Sequence, residues 1–283
     1  MPRYAVYDVF TGTPFAGNPL AVVLDGAEVG EDRLQPVARE FGFSETTFVF
    51  PPEDGDDAPR VRIFTPEREL PFAGHPVIGT AVALSDEGGP DRAAMHLGVG
   101  RVETRVTRGT PSRAAFDMTA TPERSAWTDA DAAAALAGLD AADLTGRMEV
   151  ASVGLPFLLV EVRDAAALAC AVPDAAAARR IAATGGPVCH LVWTRDGDGI
   201  RQRMFAPAEG IEEDPATGSA SAVLGACLAL DAGGPLDLSL RQGVEMGRPS
   251  EIAVAARPSG DGSVAITVGG GAVRVMEGRL CLP

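Results

Sequence analysis

Glu45 lies in "FSETTF", between Phe43 and Phe48, where a carboxylate has apolar company. Removal from water disfavours its charged form, so its pKa is expected to rise toward neutrality, which suits a proton shuttle near pH ~7. A glutamate in a Ser-Glu-Thr turn could equally be a solvated turn residue. His75 follows Gly74 and precedes Pro76 in "PFAGHP", at an expected helix start. That position lowers the pKa of a histidine, so the ring should be neutral and able to donate or accept one hydrogen bond. The alternative is that it only caps its own helix. Asp214 opens "DPATGS", where it could hold a substrate ammonium, orient His75, or serve as an N-cap. Gly218 and Ser219 would offer a backbone N–H and a hydroxyl to a substrate carboxylate; capping is again the alternative.

The elements that must position these residues come in two sets. "PFAGNP" begins at Pro14 and "PFAGHP" at Pro71, differing only in Asn18 against His75. Two prolines and a glycine so close together favour loops, so Asn18 is expected to be a neutral hydrogen-bonding partner to the site. "RIFTP" at Arg62 returns as "RMFAP" at Arg203, an offset of 141 residues, half the chain. A loop and an Ala/Val/Leu helix follow each copy, "PVIGTAVAL" and "SASAVLGACLAL". β-type runs precede both, with helical runs at "EDRLQPVAREFG" and "DAAAARRIAA"; "DADAAAALAGL" is a helix without a counterpart. A duplicated domain follows, with its boundary around residues 117–128. The first domain is expected over residues 1–120, with the C-terminal strand able to complete it, and the second over 121–283. The unpaired N–H groups and dipole at each central helix start welcome a carboxylate.

Composition removes several classes. A net charge of −15 argues against nucleic acid and anionic membranes. All 24 basic residues are arginine, so no lysine can hold pyridoxal phosphate covalently. No run reaches the ~18–20 apolar residues of a membrane span, and no signal peptide is visible, so a cytoplasmic protein is expected. The four cysteines show no CxxC spacing and read as buried free thiols. With three scattered histidines and no metal or nucleotide motif, no metal site is expected; His96 and His190 read as core or pleat residues. Arg62 and Arg203 should support the sheets, and "PPEDGDDAP" should be a solvated acidic loop.

Together "GNPLAVV", "FSETTFVF", "FTPERELPFAGHP" and "MFAPAEGIEEDPATGSA" resemble the PhzF-like isomerases of phenazine biosynthesis, which share the fold of diaminopimelate epimerase and proline racemase. The resemblance spans most of the chain. It implies a mixed α+β fold of two pseudo-symmetric domains, each a rolled, mostly antiparallel sheet around a central helix, with the active site in the cleft between them. It also implies an isomerase that needs no cofactor or metal, moving a proton within a small, cyclic carboxylic acid such as a dihydro-hydroxyanthranilic acid. Glu45 would be the catalytic acid/base; His75, Asp214 and Ser219 would surround the substrate. Homodimers are common among similar proteins. The related racemases use two cysteines, whose positions fall here at Ala73 and Ala216, and the point matching Glu45 in the second half falls near Pro187. A single carboxylate shuttle is therefore favoured. The rivals are an amino-acid racemase or epimerase and a non-catalytic protein that binds small acids.

Overall fold

The computed structural model describes residues 1–53 and 55–282. Two compact units emerge. One holds residues 1–117 with the chain from Val268 onward; the other holds Met118–Thr267.

In the first unit, β1 (Arg3–Val9) runs antiparallel to β2 (Asn18–Val23). Helix α1 (Leu34–Phe41) then carries the chain to β3 (Glu45–Pro52), which lies parallel to β2. β4 (Pro59–Phe64), the two-residue β5 (Glu69–Leu70), α2 (Gly74–Asp86), β6 (Arg92–Leu97), β7 (Gly100–Thr107) and β8 (Ser112–Ala120) follow. Eleven of the thirteen residues of α2 are buried, and it touches β1, β2, β3 and β7. A helix apolar all round must be enclosed, which is why the sheet rolls about it. Gly79 permits the closest approach, since a Cβ there would lie 2.5 Å from the Leu20 side chain. Outside the roll, α1 packs Leu34, Val37 and Ala38 on Phe48 and Phe64.

The second unit repeats the plan. After β9 (Glu123–Ala126) and α3 (Ala130–Ala137), β10 (Leu144–Ser152) runs antiparallel to β11 (Pro156–Val162). Helices α4 (Ala165–Cys170) and α5 (Ala175–Ala183) lead to β12 (His190–Asp196), parallel to β11. β13 (Gly199–Ala206), β14 (Ile211–Asp214), the buried α6 (Gly218–Ala232), β15 (Leu236–Gln242) and β16 (Ser250–Pro258) complete it. The last strand, β17 (Val264–Arg279), pairs antiparallel with β1 from Ala272 to Arg279.

Strand register matches the two units residue by residue. Phe64 and Phe205 hold the same place in "RIFTP" and "RMFAP", and they pair with Thr46 and His190 respectively. Glu45 therefore matches Cys189, not Pro187. A constant offset misplaces it because the first unit's stretch from Thr46 to Phe64, which carries the acidic loop, is three residues longer than the second unit's from His190 to Phe205. Of that loop Asp54 lies outside the described residues, while Asp56 and Asp57 are exposed and pair with His96 and Arg101.

The cysteines depart from expectation. None of the four forms a disulfide, and only Cys189 and Cys227 are buried; Cys170 and Cys281 are exposed. Apolar neighbours do not bury a residue at the last turn of a six-residue helix or near a chain end.

Candidate active site

Three first-unit residues converge. Asn18 opens β2, Glu45 opens β3, and His75 lies in the first turn of α2, whose N-cap is Ala73. Because β2 and β3 are parallel, with Leu20 beside Glu45, both strands start at the same edge. Nδ2 of Asn18 lies 3.3 Å from Nδ1 of His75. An amide nitrogen can only donate, so Nδ1 accepts and the ring proton sits on Nε2. That nitrogen lies 3.4 Å from Oε2 of Glu45, with side-chain exposures of 5% for His75 and 13% for Glu45. Burial pushes the His75 pKa down to about 3, so the imidazole beside the carboxylate is neutral.

The repeated hexapeptide is explained here, because its one variable position forms the contact. The "PFAGNP" copy brings Asn18 to the His75 of "PFAGHP", 57 residues on. Ahead of Asn18, Gly17 at φ 67° leaves no room for a Cβ, which would lie 2.3 Å from the Val9 carbonyl oxygen. Glu45 is dried differently from the expectation. Phe48, three residues on, points to the opposite face of β3 and joins the α1 cluster, and Phe43 stacks on Phe41. The helix-facing side of β3 instead meets α2, through Glu45 and through a 2.9 Å hydrogen bond between the Thr47 and Thr80 hydroxyls.

The second unit holds Asp214, Gly218 and Ser219. Asp214 ends β14 and is buried, and the N-cap of α6 is Thr217. Capping readings therefore fail for His75 and Ser219, which lie inside their helices, and for Asp214, which precedes its cap. Ser219 is half-buried and matches His75 in helix position, as Gly218 matches Gly74. Thr217 donates its hydroxyl to Oδ2 of Asp214 at 2.5 Å. Gln202, Ser221 and Gln242, all fully buried, form the polar bed beneath, and nothing in their one-letter pattern marked them.

Arg62 and Arg203 act on the protein itself. Each lies over the phenylalanine two residues on, at 5.1 and 5.0 Å, and each is bidentate to a glutamate of the following strand, Glu69 of β5 and Glu213 of β14. His190 is buried beside Phe205, with its pKa pushed down to about 4 by burial. Among the described residues no cluster of three or more His, Cys, Asp or Glu side chains is placed to hold a metal ion. No helix among them is long and apolar enough to cross a membrane.

The sequence pattern of the phenazine biosynthesis-like protein family matches residues 7–278. The chain belongs to this family. Among its relatives is the trans-2,3-dihydro-3-hydroxyanthranilate isomerase of Pseudomonas aeruginosa, 37% identical over the full length of both chains. A solved structure of the PhzF-family phenazine biosynthesis protein of Bacillus anthracis matches at a TM-score of 0.90 with 25% identity, covering 99% of each chain. A probable proline racemase from Agrobacterium radiobacter, 12% identical, matches at a TM-score of 0.65 over 100% of this chain and 94% of its own. The fold is thus the α+β fold shared by this family and the proline racemases.

Proposed function

We propose that this isomerase moves a proton within a small, cyclic carboxylic acid, with Glu45 as the group that removes and returns it. The observation that carries the reading is the buried approach of Glu45 Oε2 to the protonated Nε2 of a neutral His75. Glu45 takes a proton from one carbon, the electron pair of the broken C–H bond shifts the double bond, and the same carboxyl returns the proton to another carbon. Atoms and charge balance without any co-reactant, and the proposal needs neither metal nor cofactor. His75 stands beside the carboxylate as a neutral polar group, its Nε2 3.4 Å from Oε2. Asp214 and Ser219 are proposed, on the family resemblance, to bind the same substrate, and Gly74 and Gly218 to do so through backbone N–H groups at the starts of α2 and α6. Trans-2,3-dihydro-3-hydroxyanthranilate, named in the Pseudomonas aeruginosa relative, is the first compound to test.

In deuterated water the wild-type protein should wash label into this acid as it turns over. Glu45→Gln should lose about 10²–10⁴-fold in rate with binding retained. Turnover by Glu45→Gln at the wild-type rate ends the proposal.

One observation favours a second reading, two-base epimerisation. The strand register places a thiol, that of Cys189, at the counterpart of Glu45. Cys189→Ala should leave a one-base isomerase unchanged, whereas an epimerase would lose turnover in one or both directions.

A further inference from the structure

The hydrogen bonds around Asp214 have one consistent direction, set by two backbone groups that cannot flip. The Thr217 N–H must donate, so the atom of Gln242 that meets it at 3.1 Å is Oε1. Its amide nitrogen Nε2 then faces two acceptors, the Asp214 carbonyl at 2.7 Å and Thr217 Oγ1 at 2.9 Å. Gln242 Oε1 also accepts from Gln202 Nε2, whose other proton goes to Ser221 Oγ; both distances are 2.7 Å. Ser221 donates in turn to the Thr217 carbonyl at 2.9 Å. Because Thr217 Oγ1 accepts from Gln242, its own proton is directed to Asp214 Oδ2.

A second observation shows this is no ordinary cap. A threonine at the N-cap normally turns its oxygen to the N–H of its own helix. Thr217 makes no such bond, and α6 goes without a side-chain cap. Helices α3, α4 and α5 are all capped by aspartates. Stabilisation available to α6 is forgone while the hydroxyl is held on a carboxylate three residues back.

We infer that Thr217, oriented by Gln242, is a positioning residue that donates to the Asp214 carboxylate and fixes the direction it presents to substrate. The role in turnover rests on the proposed isomerase reading; the hydrogen-bond direction does not. Two measurements separate them. The first follows the carboxyl-carbon resonance of Asp214 by NMR as pH is lowered. Removing a donor from a carboxylate makes it easier to protonate, so Asp214 should titrate at higher pH in Thr217→Val and in Gln242→Leu, and as in wild type in Thr217→Ser. Superimposable titrations in all four proteins overturn the inference whatever the enzyme acts on.

The second uses trans-2,3-dihydro-3-hydroxyanthranilate, with Glu45→Gln in parallel. Thr217→Val should lower kcat roughly 10-fold to 100-fold, as losing a hydrogen bond to a charged group does, and move the acid limb of its pH profile upward. Thr217→Ser should retain both. Wild-type kcat and pH profile in Thr217→Val, beside an inactive Glu45→Gln, sinks the positioning role alone; an active Glu45→Gln sinks the isomerase reading and leaves the NMR result standing.

Discussion

The two central helices start in different surroundings. Register matches Val61, Val77 and Leu97 of the first unit to Gln202, Ser221 and Gln242 of the second. The first three are buried and apolar; the second three are buried and form a connected set of hydrogen bonds. Apolar packing holds a helix in place but imposes no direction on a proton. A connected amide network imposes one, at the risk that a single broken member strands the others. The first unit instead obtains direction from one pair, Asn18 and His75, set above its apolar bed. Duplication has thus left two solutions for orienting a polar side chain at a helix start.

The largest expected effect tests what the units share, one buried neutral histidine each. His75 and His190 have folded pKa values of about 3 and about 4, against an ordinary value of 6.5. Between those limits the unfolded chain binds more protons, so stability is full above pH ~6.5 and falls as pH drops toward the folded values. Each histidine should contribute at most about 1.4 kcal/mol per pH unit. Urea titrations across that range should show a shallower slope for His75→Gln and for His190→Phe; unchanged slopes would refute the assignment.

A smaller effect comes from exchanging the beds. Gln202→Val removes the donor to Gln242 and Ser221 and should cost about 1–3 kcal/mol by urea unfolding. Val61→Gln should cost about as much, because it buries an amide among apolar side chains. Making Gln202→Val together with Ser221→Val and Gln242→Leu should recover part of the single-variant loss, since partners then vanish together. A triple variant that loses the plain sum of its singles would show that the network is not coupled.

The smallest effect concerns the peripheral helices. Asp174 accepts from the N–H groups of Ala176 and Ala177, and Asp174→Ala should cost about 1 kcal/mol with turnover untouched.

Much of this was legible before any coordinates. The Ala/Val/Leu/Gly runs of α2 and α6 are apolar on every side, a composition that only an enclosed helix tolerates. Glu45 and His75 could be placed because a strand start and a Gly-His-Pro helix start are local features. The Asn18–His75 contact is long-range; the repeated hexapeptide flagged both residues but not that they meet. Asp before Pro spelled an N-cap at Asp214, yet β14 extends through that residue and passes the cap to Thr217. Gln202 and Gln242 escaped notice because a polar residue in a strand ordinarily faces water, and only tertiary structure shows them fully enclosed. The three-residue difference between the stretches from Thr46 to Phe64 and from His190 to Phe205 hid Cys189 from a comparison at fixed offset.

The pairing of β17 with β1 has a consequence for how the chain is made. Arg3 waits for Arg279, so β1 has β2 on one side but lacks its second neighbour until β17 has been made. Met118–Thr267 is continuous and carries its own buried helix, so during synthesis the later-encoded unit is fully made before the earlier one is complete.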